Sequence, residues 1–68
     1  MLEGRLEKAR THFKRTWFTR AHYLRLHVKL STATASRDLA AGVERGQLEP
    51  RGVARLTEYR FAPRVLGD

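Results

Sequence analysis

The chain has 68 residues, no cysteine and a formal net charge of +7. That length holds one domain with a small core and leaves little room for a deep catalytic cavity. Without cysteine there is neither a disulfide nor a thiolate metal site. No apolar run approaches the roughly 20 residues needed to span a bilayer, and Met1-Leu2-Glu3-Gly4-Arg5 lacks the apolar stretch of a secretory signal. The charge is one-sided. Lys8, Arg10, Lys14, Arg15, Arg20, Arg25, Lys29 and Arg37 follow one another with no Asp or Glu between Lys8 and Arg37. Self-repulsion of this kind favours a polyanionic partner, nucleic acid before anionic membrane.

Leu2, Leu6, Ala9 and Phe13 recur at the helical period, so a first amphipathic helix is predicted over about 2–15. Trp17 and Phe18 close it or anchor the chain behind it, with Trp17 expected in the core. A second helix is predicted over about 19–28. Thr19 suits its N-cap, and Phe18 and Tyr23 have the spacing of a hydrophobic staple. His22 and His27 are five apart and share no face as i, i+4 ligands would, so no metal site is expected.

Lys29-Leu30 forms the predicted turn, and Ser31 is the predicted N-cap of a third helix over about 31–45. With Leu39 at the centre of the buried face, Ala35 and Val43 fall within about 40° of it. Ala33, Thr34, Arg37, Ala41 and Glu44 fall opposite, on a small, polar face suited to close approach. Asp38 lies to the side, where it is expected to pair with a neighbouring arginine. Gly46 reads as the C-terminal cap.

Residues 47–61 then read as a two-stranded hairpin. Pro50 marks an edge strand, and Gly52-Val53-Ala54 carries the turn. Thr57, Tyr59 and Phe61 face the helices, so Leu39 and Tyr59 should share one core. Leu56, Glu58 and Arg60 face away. Residues 62–68 read as a loose tail or linker. The fold class expected is mostly α with a small β-hairpin. Helix, turn, helix and hairpin is the order of a winged helix-turn-helix: three helices plus a two-stranded wing. In that arrangement Thr32, Thr34, Ser36 and Arg37 could meet bases and phosphates in a DNA major groove.

Ser31-x-Ala33-Thr34-Ala35-x-Arg37-Asp38-Leu39, followed by Val43-Glu44-x-Gly46-x-Leu48, Gly52 and Arg55-x-Thr57-x-Tyr59, resembles the winged-helix domain at the C-terminal end of many Fic-family proteins. The Ser-x-x-Thr-x-x-x-Asp-Leu core is also similar to repressors of the DeoR type. The resemblance covers residues 18–61. It departs at the turn, where Val28-Lys29-Leu30 stands in place of the usual glycine. It implies that the third helix is a DNA-recognition element, with Ser31, Thr32, Thr34, Ser36 and Arg37 on it and Arg55 on the wing. No Fic catalytic motif is present, so no enzymatic activity is implied.

The expected function is therefore sequence-specific binding of double-stranded DNA by a small bacterial, plasmid or phage transcriptional regulator, or by its DNA-binding domain. Lys29, Arg51 and Arg55 would grip phosphates beside the recognition helix. No catalytic residue, cofactor or metal is expected. The expected location is cytoplasmic and nucleoid-associated, with no membrane partner; homodimerisation and membership of a longer chain stay open. The alternative is a winged helix that serves as a protein-interaction or positioning module of a larger protein. An exposed apolar patch would argue for that alternative.

Overall fold

Leu2, Leu6, Ala9 and Phe13 form the inner stripe of α1 (Leu2–Phe13), with Leu6 and Ala9 fully inside. The helix stops two residues before the predicted end. Lys14 takes φ 54°, a left-handed conformation that few non-glycine residues adopt. Its N–H still reaches the Arg10 carbonyl at 2.9 Å, which closes the last turn. The computed structural model describes residues 2–53 and 56–63.

The chain then runs extended through β1 (Phe18–Thr19), a strand absent from the sequence prediction. It pairs antiparallel with β3 (Glu58–Phe61), Phe18 opposite Tyr59 and Thr19 opposite Glu58. The two-stranded hairpin of the sequence reading is thus one part of a three-stranded antiparallel sheet of order β1-β3-β2. The other hairpin strand, β2 (Leu48–Arg51), lies at an edge, where the missing N–H of Pro50 does no harm. Among the described residues the molecule is a small, mostly helical α+β domain of three helices and this sheet.

Thr19 caps α2 (Arg20–Leu26) as predicted. Its hydroxyl accepts from the His22 N–H at 3.3 Å, and its own N–H donates to His22 Nδ1 at 3.0 Å, a reciprocal capping box. The helix is shorter than predicted and ends at His27. The His27 N–H bonds the Tyr23 carbonyl, while its ring Nε2 sits 3.1 Å from the Arg5 carbonyl of α1. Both histidines thus hold helix ends.

Helix α3 (Thr32–Glu44) begins at the predicted cap, Ser31. It ends on Gly46 at φ 75°. The Gly46 N–H returns to the Val43 carbonyl and the Gln47 N–H to the Gly42 carbonyl, at 3.0 and 2.8 Å, the paired bonds of a Schellman motif. A side chain at Gly42 would place its Cβ 2.5 Å from Leu48 Cδ1, so glycine there lets α3 approach β2.

Every element contributes to one core. Leu6 and Ala9 meet Phe18, Tyr23, Ala35, Leu39, Leu48 and Phe61, with Tyr59 packed at the margin. Leu39 and Tyr59 share that core as expected. Phe18 is its aromatic hub, stacked on Phe13 at 4.2 Å between ring centres and on Phe61 at 5.6 Å. Trp17 is not in the core. It lies half-buried against the guanidinium groups of Arg51 and Arg60, 3.9 and 4.5 Å from its ring centre. Its neighbour Phe18, facing the opposite way on an extended backbone, fills the interior instead.

Candidate nucleic-acid interface

The first turn of α3 is built by its own hydroxyls. Ser31 Oγ accepts from the Thr34 N–H at 3.1 Å and donates to Thr34 Oγ1 at 3.0 Å. Ser31 and Thr32 are exposed and Thr34 is half-buried. Of the hydroxyl residues singled out in the sequence, Ser31 and Thr34 are therefore tied to one another in the cap, and Thr32 is open to solvent.

Further along, Ala33, Arg37, Ala40 and Glu44 are the exposed stripe, successive steps of three and four on one helix face. Ala41 is half-buried and Ala40 takes the outer place assigned to it in the sequence reading. Gly42, next to Ala41, is buried against Leu48 of β2. Around Arg37 the stripe is low: its neighbours at both ends are alanines, so a broad, flat object could approach the backbone closely.

Ser36 stands beside this stripe, half-buried, and accepts from Arg20 Nη1 at 2.9 Å. That bond ties the first residue of α2 to the middle of α3. Sequence reasoning missed Arg20, because sixteen residues separate the two and no periodicity connects them.

Asp38, next to Arg37, turns the other way. It is buried, and its carboxylate takes a bidentate grip from Arg5 of α1, Nε at 2.6 Å and Nη2 at 2.9 Å. The Tyr23 hydroxyl adds a third bond at 2.8 Å. Burial alone would raise the carboxyl's pKa, but the Arg5 and Tyr23 bonds outweigh it and hold Asp38 below the usual range. Burial, reinforced by the bond to Asp38, pushes the Tyr23 phenol up. The arginine partner of Asp38 is therefore not a neighbour in sequence but Arg5, on another helix, and Arg37 keeps its fork outside.

The sheet's outer face carries a second charged group. Arg51 Nε bonds Glu58 at 2.9 Å, and Arg60 Nη2 bonds Glu49 at 2.9 Å, each pair facing across β2 and β3. Trp17 lies against both arginines. Arg51, singled out as a phosphate contact, is thus already paired and stacked, although half of its side chain remains exposed. Arg55 lies outside the described residues. Lys29 is exposed in the α2–α3 turn, which the Leu30 N–H closes onto the His27 carbonyl at 3.0 Å.

Asp38, Glu49 and Glu58 are each neutralised within the fold, by Arg5, Arg60 and Arg51. Arg25, Lys29 and Arg37 are exposed and stand in no ion pair among the described residues. The positive excess therefore faces solvent, and part of it sits on and just before the N-terminal half of α3. Among the described residues no His, Cys, Asp and Glu cluster could hold a metal ion, and no helix is long and apolar enough to cross a membrane. No family model, curated protein or solved structure matches the chain.

Proposed function

We propose that the chain is a winged helix-turn-helix module that binds double-stranded DNA, with α3 entering the major groove and the β2–β3 hairpin as its wing. One observation carries this reading: the low, exposed stripe of α3 presents a single arginine between alanines, while Asp38, the acid beside it in sequence, is consumed inside the fold and the one acid of the stripe, Glu44, stands two turns away at its far end. The element order, α1, β1, α2, α3, β2 and β3, supports a wing beside the helix pair. The resemblance of Ser31 to Leu39 to Fic-associated and DeoR-type domains points the same way. Arg37 is the base reader, since a guanidinium fork matches guanine O6 and N7. Lys29 and Arg25 contact phosphates. Ser31, Thr34 and Ser36 fix the helix that carries Arg37, and Thr32 is the hydroxyl open to DNA. Regulation of transcription from the bacterial nucleoid is the setting that fits such a module.

The test is a titration of labelled duplex at several salt concentrations. Each phosphate contact adds about −0.9 to the slope of log affinity against log salt. A steep negative slope supports the proposal, and no binding to any duplex refutes it.

A second reading, a positioning module within a larger protein, is favoured by the turn after β2. Val53 and Leu56 are 75% and 72% exposed there. If that reading holds, substituting both with serine leaves duplex affinity unchanged and disrupts the larger assembly.

A further inference from the structure

We infer that the groove between α1 and the α2–α3 turn docks an acidic, apolar segment of a partner protein. The groove is shallow and open to solvent, with a volume of about 310 Å³. Leu26, Val28 and Leu30 supply its apolar surface, and Lys8 and Lys29 supply its rim. Val28 is 80% exposed, the most exposed of the large apolar side chains among the described residues.

The electrostatics select the partner. Arg5 also lines the groove, but its guanidinium is spent on Asp38. His27 lines it too and is held towards its neutral form, by burial first and then by the charges of Lys8 and Arg5. The cationic charge left for a ligand comes from Lys8 and Lys29, which are exposed and stand in no ion pair among the described residues. An apolar patch between two lysines complements a peptide in which carboxylates flank a bulky apolar side chain.

A sugar–phosphate backbone would use the lysines but leave Leu26, Val28 and Leu30 uncovered. The groove also opens on the side of α3 that Asp38 faces, toward α1, away from the stripe of Ala33, Arg37 and Ala40. The two surfaces share only Lys29, so a duplex on α3 and a peptide in the groove would compete for that one lysine; measured without DNA, peptide binding tests the groove whether or not α3 binds DNA.

The probe is a short synthetic peptide of leucines interleaved with aspartates, labelled for anisotropy. Two controls replace its aspartates with glutamine or its leucines with serine. Val28→Ser and Lys8→Glu should each weaken the parent peptide by about tenfold or more. Val28 is exposed, so its serine variant keeps the fold. Arg45→Glu makes the same charge change outside the groove and should alter peptide affinity less than twofold. Both control peptides should bind at least about tenfold more weakly than the parent. Three outcomes overturn the inference: no binding of the parent peptide at millimolar concentration, equal loss in Lys8→Glu and Arg45→Glu, or a Val28→Ser variant that weakens duplex binding and leaves peptide binding intact. The last would assign the groove to DNA.

Discussion

Tyr23 Oη and Arg5 Nε converge on the same oxygen of Asp38, Oδ2, at 2.8 and 2.6 Å. One carboxylate thereby fastens α1 and α2 to α3. It also fixes the rotation of α3 about its axis, and with it the direction in which the adjacent Arg37 points. Asp38→Asn leaves the Arg5 charge without its counterion. Because Arg5 retains 27% exposure and can reach water, the cost should lie at the low end for a broken buried pair, about 3 kcal/mol. Tyr23→Phe should cost about 1–3 kcal/mol, since it removes one donor from a buried acceptor. Urea unfolding of both variants measures this. Midpoints equal to that of the wild type would show that the triad holds nothing.

Leu39 is completely buried at the centre of the core. Leu39→Ala should destabilise the domain by about 2–5 kcal/mol, through lost transfer energy and the cavity left behind. In so small a domain that loss approaches the whole stability. The check is thermal unfolding by circular dichroism, and an unshifted midpoint would contradict the packing described.

Much of this architecture was legible in local sequence. Thr19, Ser31 and Gly46 each act through neighbours within four residues, so cap chemistry located the start of α2 and both ends of α3. Tyr59 and Phe61 announced their inward face by alternation. What stayed hidden depends on residues far apart in the chain. Two residues, Phe18 and Thr19, are too few to show a strand period, and their partner strand lies some forty positions away. Asp38 meets Arg5 across 33 residues, and Arg20 meets Ser36 across 16. Trp17 was expected inside because tryptophan usually buries its area. Two cross-strand arginines cover it on the outer face of the sheet instead.

His27 makes stability depend on pH. Its folded pKa is lowered: burial disfavours the cation most, the bond to the Arg5 carbonyl opposes this in part, and the nearby Lys8 and Arg5 charges lower it further against a smaller effect of Asp38. Below the unfolded value of about 6.5 the unfolded chain binds the extra proton more readily, so stability falls as pH drops through that value toward the folded pKa. Asp38, also lowered, adds a further loss below about pH 4, where the unfolded carboxyl protonates first. Urea midpoints between pH 8 and 5 should decline in the wild type and decline less in His27→Gln. Identical profiles would remove His27 from this role.

The Ser31 cap satisfies the Thr34 N–H and orders the first turn of α3. Ser31→Ala should cost about 1 kcal/mol. Ser31→Asp, which keeps an acceptor at the cap, should restore most of that loss in the same unfolding assay. An aspartate variant no more stable than the alanine would show that the cap bond is not what orders the turn.

The central claim is that α3 reads DNA through Arg37. The most direct measurement is selection of bound duplexes from a random library by wild type and Arg37→Ala, at two salt concentrations. The wild type should enrich a preferred sequence that persists at the higher salt. Arg37→Ala should lose about 1–3 kcal/mol on that sequence, with preference relaxed at one base pair. Enrichment of no sequence at either salt, or an unchanged preference in Arg37→Ala, would contradict it.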